Sequence, residues 1–298
     1  MYLKSYIASA AFLAVTVLAS TSVWASSDDD VTIATYSIDT KASLMSDVRI
    51  RGISDSFNRP GARLEIDLAH ESGMIALAQF NNVSKQEMVN GDGVGMLLGL
   101  GWRGGNPDQW HYGVGLASEV FPGAKFSAPQ SFDFQAFQPT NVSNTNFNTN
   151  YAVLEFGYGR LYGRVIDVIS KTYRGADAGG VCGAMLQYMA DPTKALACYA
   201  RGSNDSRGTL LFDLDYIQPL PIDTKMTFHV GYQSVANYPE ADTFDYLLGI
   251  THTHWGMDWT AAVTGAIVRT PALYMYQDGD SIKRTDRPTL VLSTTYKF

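Results

Sequence analysis

Beyond its first 25 residues the sequence has no uninterrupted apolar stretch approaching the roughly 20 residues that a membrane-spanning helix needs. It has no basic excess either: 22 Lys and Arg stand against 29 Asp and Glu, giving a formal charge of −7 and a sequence pI near 5.2. An acidic chain of this kind is a poor match for nucleic acid. Runs rich in Ala, Leu, Glu and Lys are scarce and no internal repeat is visible, so helices are expected only within loops, first of all at Gly183–Leu196. Cysteine is limited to Cys182 and Cys198, and no His lies between Thr172 and Ser206 to complete a metal site with them. No metal or other cofactor is expected.

What is present begins with the signature of a secretory signal peptide. Lys4 supplies the positive charge, Ile7 to Leu18 form the apolar run, and Val23-Trp24-Ala25 before Ser26 makes a small-residue cleavage site. The run is about twelve residues, too short to span a bilayer. Residues 1–25 are therefore read as the signal and 26–298 as one mature domain. Loss of Lys4 takes the net charge from −7 to −8. Export to an oxidising compartment makes a Cys182–Cys198 disulfide the expected state. Closing a loop of about 15 residues contributes about 3 kcal/mol in the chain-entropy model.

The mature chain is rich in aromatic residues and glycine, with 17 Tyr, 14 Phe and 27 Gly. Short alternating strands with Gly-rich turns are the all-β reading of such a composition. From Ala42 onward twelve segments alternate at strand length: Ala42–Ser54, Arg63–His70, Gly73–Asn82, Gly93–Trp102, Trp110–Val120, Asn150–Tyr158, Leu161–Lys171, Arg207–Ile217, Lys225–Val235, Asp242–His254, Met257–Arg269 and Arg287–Phe298. Their connections alternate between tight turns such as Gly159-Arg160 and Trp255-Gly256 and long loops such as Phe121–Thr149 and Thr172–Ser206. A soluble sandwich has no reason to gather its long loops at one end. A transmembrane antiparallel β-barrel of about 12 strands does, with short periplasmic turns and long extracellular loops. The expected location is the outer membrane of a Gram-negative cell, with both termini periplasmic.

The last strand fits that architecture. Leu290, Leu292, Thr294, Tyr296 and Phe298 share one face, and Thr289, Val291, Ser293, Thr295 and Lys297 the other. Tyr296 and Phe298 are then the aromatic girdle of a closing strand, in contact with outer-membrane lipid. This C-terminal strand is also the segment expected to engage the barrel-assembly machinery.

Some motifs are more particular. Ser46-Asp47-Val48-Arg49-Ile50-Arg51-Gly52-Ile53-Ser54 with Pro60 shortly after, and Asp67-Leu68-Ala69-His70-Glu71-Ser72-Gly73 leading to Phe80-Asn81-Asn82-Val83, resemble the TorF-type porins of proteobacteria. Glu119-Val120-Phe121-Pro122-Gly123-Ala124 and the closing Thr295-Tyr296-Lys297-Phe298 extend the resemblance along the mature chain. It implies an outer-membrane barrel and a pore, and no catalytic residues. The expanded Phe121–Thr149 and Thr172–Ser206 segments depart from the family pattern and suggest a lid or plug.

With apolar faces outward, a set of charged residues falls on the inner wall. Near the beginning these are Asp47, Arg49, Arg51, Arg63, Glu65 and Asp67. Further on come Glu119, Glu155, Arg164, Asp213 and Asp215, then His229, Asp245, Asp258 and Lys297. Arg or Lys facing lipid at mid-depth costs about 2–4 kcal/mol, so the lumen is where such residues belong. An acid-leaning wall favours cations. The expected function is passive, weakly cation-preferring diffusion of small solutes or ions. The alternative is a plugged structural or surface-interaction barrel acting through its long outer loops. A hydrolase reading would rest on His252 and His254, but no Ser is spaced to partner them, and the pair has no third metal ligand.

Overall fold

Period-two alternation decides the architecture. The computed structural model describes residues 36–106, 108–189 and 191–298, so the expected signal peptide, residues 1–25, lies outside the described residues. Twelve antiparallel strands close into one barrel. They are β1 (Tyr36–Met45), β2 (Gly61–His70), β3 (Met74–Asn82), β4 (Val94–Gly105), β5 (Trp110–Val120) and β6 (Thr149–Tyr158). β7 (Leu161–Val168), β8 (Leu210–Leu220), β9 (Thr224–Ser234), β10 (Thr243–His254), β11 (Met257–Val268) and β12 (Thr289–Lys297) complete it. Each strand pairs with its neighbour in sequence, and β1 closes the cylinder on β12 with Ala42 opposite Tyr296.

Every short connection lies at one end and every long loop at the other. Phe298 and the start of β1 lie at the turn end, where Phe298 N–H donates to the carbonyl of Thr40. Turns such as Trp255-Gly256, with φ of 53° and 72°, reverse the chain in two residues. The outer wall is apolar at mid-height, with Leu100 and Leu116 each more than 60 % exposed. Aromatic side chains flank that band. Trp102, Trp110, Tyr158, Tyr216 and Tyr296 ring the turn end, and Phe212, Tyr232 and Phe244 sit toward the loop end.

The first strand is not where the sequence suggested. Ala42–Ser54 was expected as one strand, but the barrel uses Tyr36–Met45, and the chain turns inward after Met45. Arg49-Ile50 pairs back on Ile53-Ser54 across Arg51 and Gly52, both at positive φ (51° and 73°). A left-handed pair is a tight hairpin turn, which no continuous strand can contain. The turn is also crowded: a Cβ on Gly52 would lie 2.2 Å from the carbonyl oxygen of Gly265. Asp47 rigidifies this loop, accepting hydrogen bonds from Ser54 and Ser56 hydroxyls (2.6 and 2.9 Å) while pairing with Arg49 at 2.6 Å.

The other long loops fold over the same end. Lys125–Asp133 and Gln138–Asn146 form a hairpin inside the loop after β5. After β7, α1 (Ala184–Tyr188) and α2 (Thr193–Ala200) replace the single helix expected at 183–196. The break has a local cause: Met189 is extended (φ −93°, ψ 137°), and Pro192, which lacks an N–H, precedes α2. The Cys182–Cys198 disulfide ties α2 to the wide helical turn Gly179–Gly183 that leads into α1. Val181, Met185, Ala195 and Tyr199 pack with Val168, Leu211, Val235 and Tyr238 into a hydrophobic core at the loop end.

Candidate functional site in the barrel interior

Register brings the charged inner-wall residues together. Arg164 on β7 stands opposite Asp213 on β8, and Asp215 stands opposite His229 on β9. Asp245 on β10 is opposite Gly231. Into this patch the inward loop sends Arg51. Its Nη1 lies 2.5 Å from Asp213 and its Nη2 3.2 Å from Asp245. Arg164 reaches Asp213 and Asp215 at 3.4 and 3.8 Å. The His229 ring is held at 2.8 Å by Asp215 on Nδ1 and at 2.8 Å by Asp245 on Nε2. Carboxylates only accept, so a ring bonded on both nitrogens donates from both, which is imidazolium geometry. Three carboxylates thus meet two guanidinium groups and one imidazolium. Gly231 makes the close approach possible: a Cβ there would fall 2.5 Å from an Asp245 oxygen and 2.8 Å from Arg51 Nη2.

A second cluster lies under the loops. Arg174 pairs with Asp55 of the inward loop at 2.6 Å and with Glu119 of β5 at 3.5 Å, and its guanidinium stands 5.2 Å over the Phe121 ring. Glu119 also accepts from the Tyr151 hydroxyl at 2.8 Å. Beside it Glu87, in the loop after β3, is buried (6 % exposed). Burial, with the nearby Asp55 charge adding to it, pushes the Glu87 carboxyl up to about 9. Arg103 grips Glu155 with two hydrogen bonds (2.6 and 3.1 Å). Toward the turn end Lys41 bridges Glu65 and Asp67 at 2.7 and 2.9 Å, and Lys297 holds Asp258 at 2.9 Å.

Between these clusters lies a chamber of about 700 Å³. Its space has a sequence origin. The inward positions of β4 and β5 include Gly95, Gly99, Gly101 and Gly115, so bare backbone forms that wall where side chains would fill an ordinary small barrel. Arg63, Glu65, Asp67, Glu119, Glu155, Arg164, Asp213 and His229 line it from the strands, and Arg49, Arg51 and Arg174 from the loops.

The sequence placed Arg63, Glu65, Asp67, Glu119, Glu155, Arg164, Asp213, Asp215, His229, Asp245 and Asp258 on barrel strands, and those strands carry them on the inner side. Asp47, Arg49 and Arg51 do not sit on a barrel strand: the first two fold the inward loop, and only Arg51 crosses to the far wall. Lys41, Arg103, Asp55 and Arg174 were missed. Lys41 and Arg103 lay one residue beyond the expected strand limits and obey the same alternation, so they were readable. Arg174 and Asp55 come from loops, where no period points to them. Asp167 faces outward between Ala152 and Leu210. His252 contacts the Thr224 hydroxyl and the Ile222 carbonyl, and His254 packs on Trp255.

Among solved structures the chain is similar to the KdgM porin, at 9 % identity over 89 % of this chain and 99 % of that one, with a TM-score of 0.43. It is also similar to an anion-selective porin from Comamonas acidovorans (7 % identity, 89 % and 100 % covered, TM-score 0.35). Outer membrane phospholipase A from Escherichia coli gives 11 % identity, 87 % and 94 % covered, and a TM-score of 0.34. No curated protein sequence matches it. Over residues 30–296 the chain belongs to the family described as bacterial protein of unknown function (Gcw_chp).

Proposed function

We propose that this barrel spans the bacterial outer membrane, turn end in the periplasm and loop end outside, and passes small solutes or ions through its lumen by passive diffusion. The observation that carries this reading is the polar chamber inside a closed barrel whose outer wall is apolar and girdled by aromatic side chains. The resemblance of residues 46–54 and 67–73 to TorF-type porins supports it. The route is not a wide aqueous pipe. Arg51 on its loop reaches across to β8 and β10, so a solute passes a ring of paired charges. Ion preference in such a ring depends on the balance between carboxylates and their partners. Glu119, Asp213 and Asp215 are each paired with a cation, so the proposed cation preference is weak.

Single-channel recording of the refolded protein in a planar bilayer under a salt gradient tests this. Discrete steps with a reversal potential of weak cation sign are expected. Neutralising Asp213 and Asp215 together with Glu119 strips Arg164 of both its carboxylates, leaves Arg51 and Arg174 with one each, and should carry the reversal potential toward anions. A reversal potential unmoved by all three would sink the proposed path.

One observation favours a second reading, a closed barrel that acts through its outer loops. The loop end carries its own disulfide-tied core, with Arg174 pinning the inward loop to β5. A protein that inserts stably yet gives no steps would establish that reading instead.

A further inference from the structure

The chamber's charges do not all cancel, and the exception points to what the chamber holds. Arg49, Arg51, Arg103, Arg164 and Arg174 each pair with at least one carboxylate. Arg63, on the inner wall of β2, forms no ion pair among the described residues, and its Nε is buried without a hydrogen-bond partner. The two carboxylates whose charges reach it are Glu65 and Asp55. Both are already engaged, Glu65 by Lys41 at 2.7 Å and Asp55 by Arg174 at 2.6 Å. A guanidinium in a partly desolvated wall without a counter-charge is costly, and the protein leaves that cost uncompensated at this one chamber arginine.

The surroundings are suited to an incoming acid. Asn81 stands opposite Arg63 in register, with the Gln79 amide 3.4 Å from the Asn81 carbonyl oxygen, and both side chains line the chamber. The bare backbone at Gly99 on β4 leaves room beyond them, for a Cβ added there would meet nothing nearer than 3.6 Å. A chamber of about 700 Å³ is within the range that encloses a small organic molecule.

We propose that the chamber is a binding station for a small organic carboxylate, whose anionic group takes the place opposite the unpaired Arg63 guanidinium while the amides of Gln79 and Asn81 receive its remaining polar atoms. The assignment deepens the channel reading and rests on it for its biological meaning: the solute that lingers in the lumen is an anion, whatever small ions pass. Planar guanidinium and carboxylate groups match in two parallel hydrogen bonds, so loss of the fork should matter more than loss of any single amide.

The probe is sodium gluconate, with sorbitol as its uncharged counterpart, titrated calorimetrically into the refolded full-length protein in neutral detergent. Saturable binding of gluconate but not of sorbitol is expected. Arg63→Met should weaken it at least tenfold, Arg63→Lys should fall between, and Arg201→Met, which alters an exposed loop ion pair, should match the unaltered protein. Heat-modifiable gel mobility checks that each variant is folded, and Arg63→Lys carries the test if Arg63→Met does not fold. Gluconate binding that is absent, or equal in the folded Arg63 variants, overturns the proposal. Liposome swelling in sorbitol separates the two readings. Swelling without gluconate binding removes the station and keeps the channel, whereas binding without swelling keeps the station and removes the channel.

Discussion

Glu87 and Arg51 show how single residues in this protein are set against their surroundings. Arg51 is a charge brought inside and held by two carboxylates, Asp213 and Asp245: neutralising both would leave its guanidinium buried alone, typically about 3–5 kcal/mol of destabilisation. Glu87 is the opposite case, a carboxyl under the loops without compensation. Its Oε2 is buried with no hydrogen-bond partner among the described residues. With its titration raised from 4.5 to about 9, the folded protein keeps the proton while an unfolded chain would lose it. The stability that this group contributes is whole below pH 4.5 and is lost progressively as pH rises toward about 9. By pH 7 the loss amounts to about 3 kcal/mol. Glu87→Gln should therefore flatten the alkaline fall in stability of the loop cluster, read as amide hydrogen exchange of residues 83–93 at pH 6 and pH 9. Equal pH dependence in the two proteins would remove Glu87 as its source.

At the scale of elements, the loop-end core behaves as a unit laid over the barrel. α1 and α2 contain five and eight residues, too short to persist alone, so their order comes from packing and from the Cys182–Cys198 bridge. Replacing both cysteines by Ser should cost up to about 3 kcal/mol, confined to this unit. The expected signature is faster proteolysis between residues 175 and 206 with barrel mobility on gels unchanged. A variant as resistant as the parent would mean that packing alone holds the helices. The bridge itself was legible from the expected signal peptide and an even pair of cysteines, because redox chemistry needs no knowledge of the fold. The helix boundaries were not, because tertiary packing chose where the chain could break. The inward hairpin was missed for a related reason. Ala42–Ser54 alternates poorly as a strand, but what marks the turn itself is the positive φ at Arg51 and Gly52, which the sequence does not show. The start of β1 was readable as well, since Ile38, Ala42 and Leu44 alternate with Asp39, Lys41 and Ser43; the expected strand simply began too late.

For the whole molecule, strand number and the segregation of turns from loops could be read in the sequence because both follow from period-two alternation and glycine-rich punctuation, which are local. The interior could be read only in part. Alternation says that Asp213 or Arg164 faces inward, but not which charges meet, since partners come from strands and loops far apart in sequence. The same alternation makes the outer wall a test of the solvent around the barrel. Leu116 sits at mid-height on β5, paired across to Leu100 and Ala152, and is 62 % exposed. If the barrel stood in water, Leu116→Arg would be nearly neutral or helpful, because an exposed charge costs nothing to hydrate. In a bilayer the same change should cost about 2–4 kcal/mol, while Tyr158→Arg at the turn-end girdle should cost about 0–1 kcal/mol for the charge. Urea unfolding from phosphatidylcholine vesicles reads both. A penalty that falls with depth in this way requires lipid around the wall, whereas equal penalties at the two positions would withdraw the membrane from the proposed function and the channel with it.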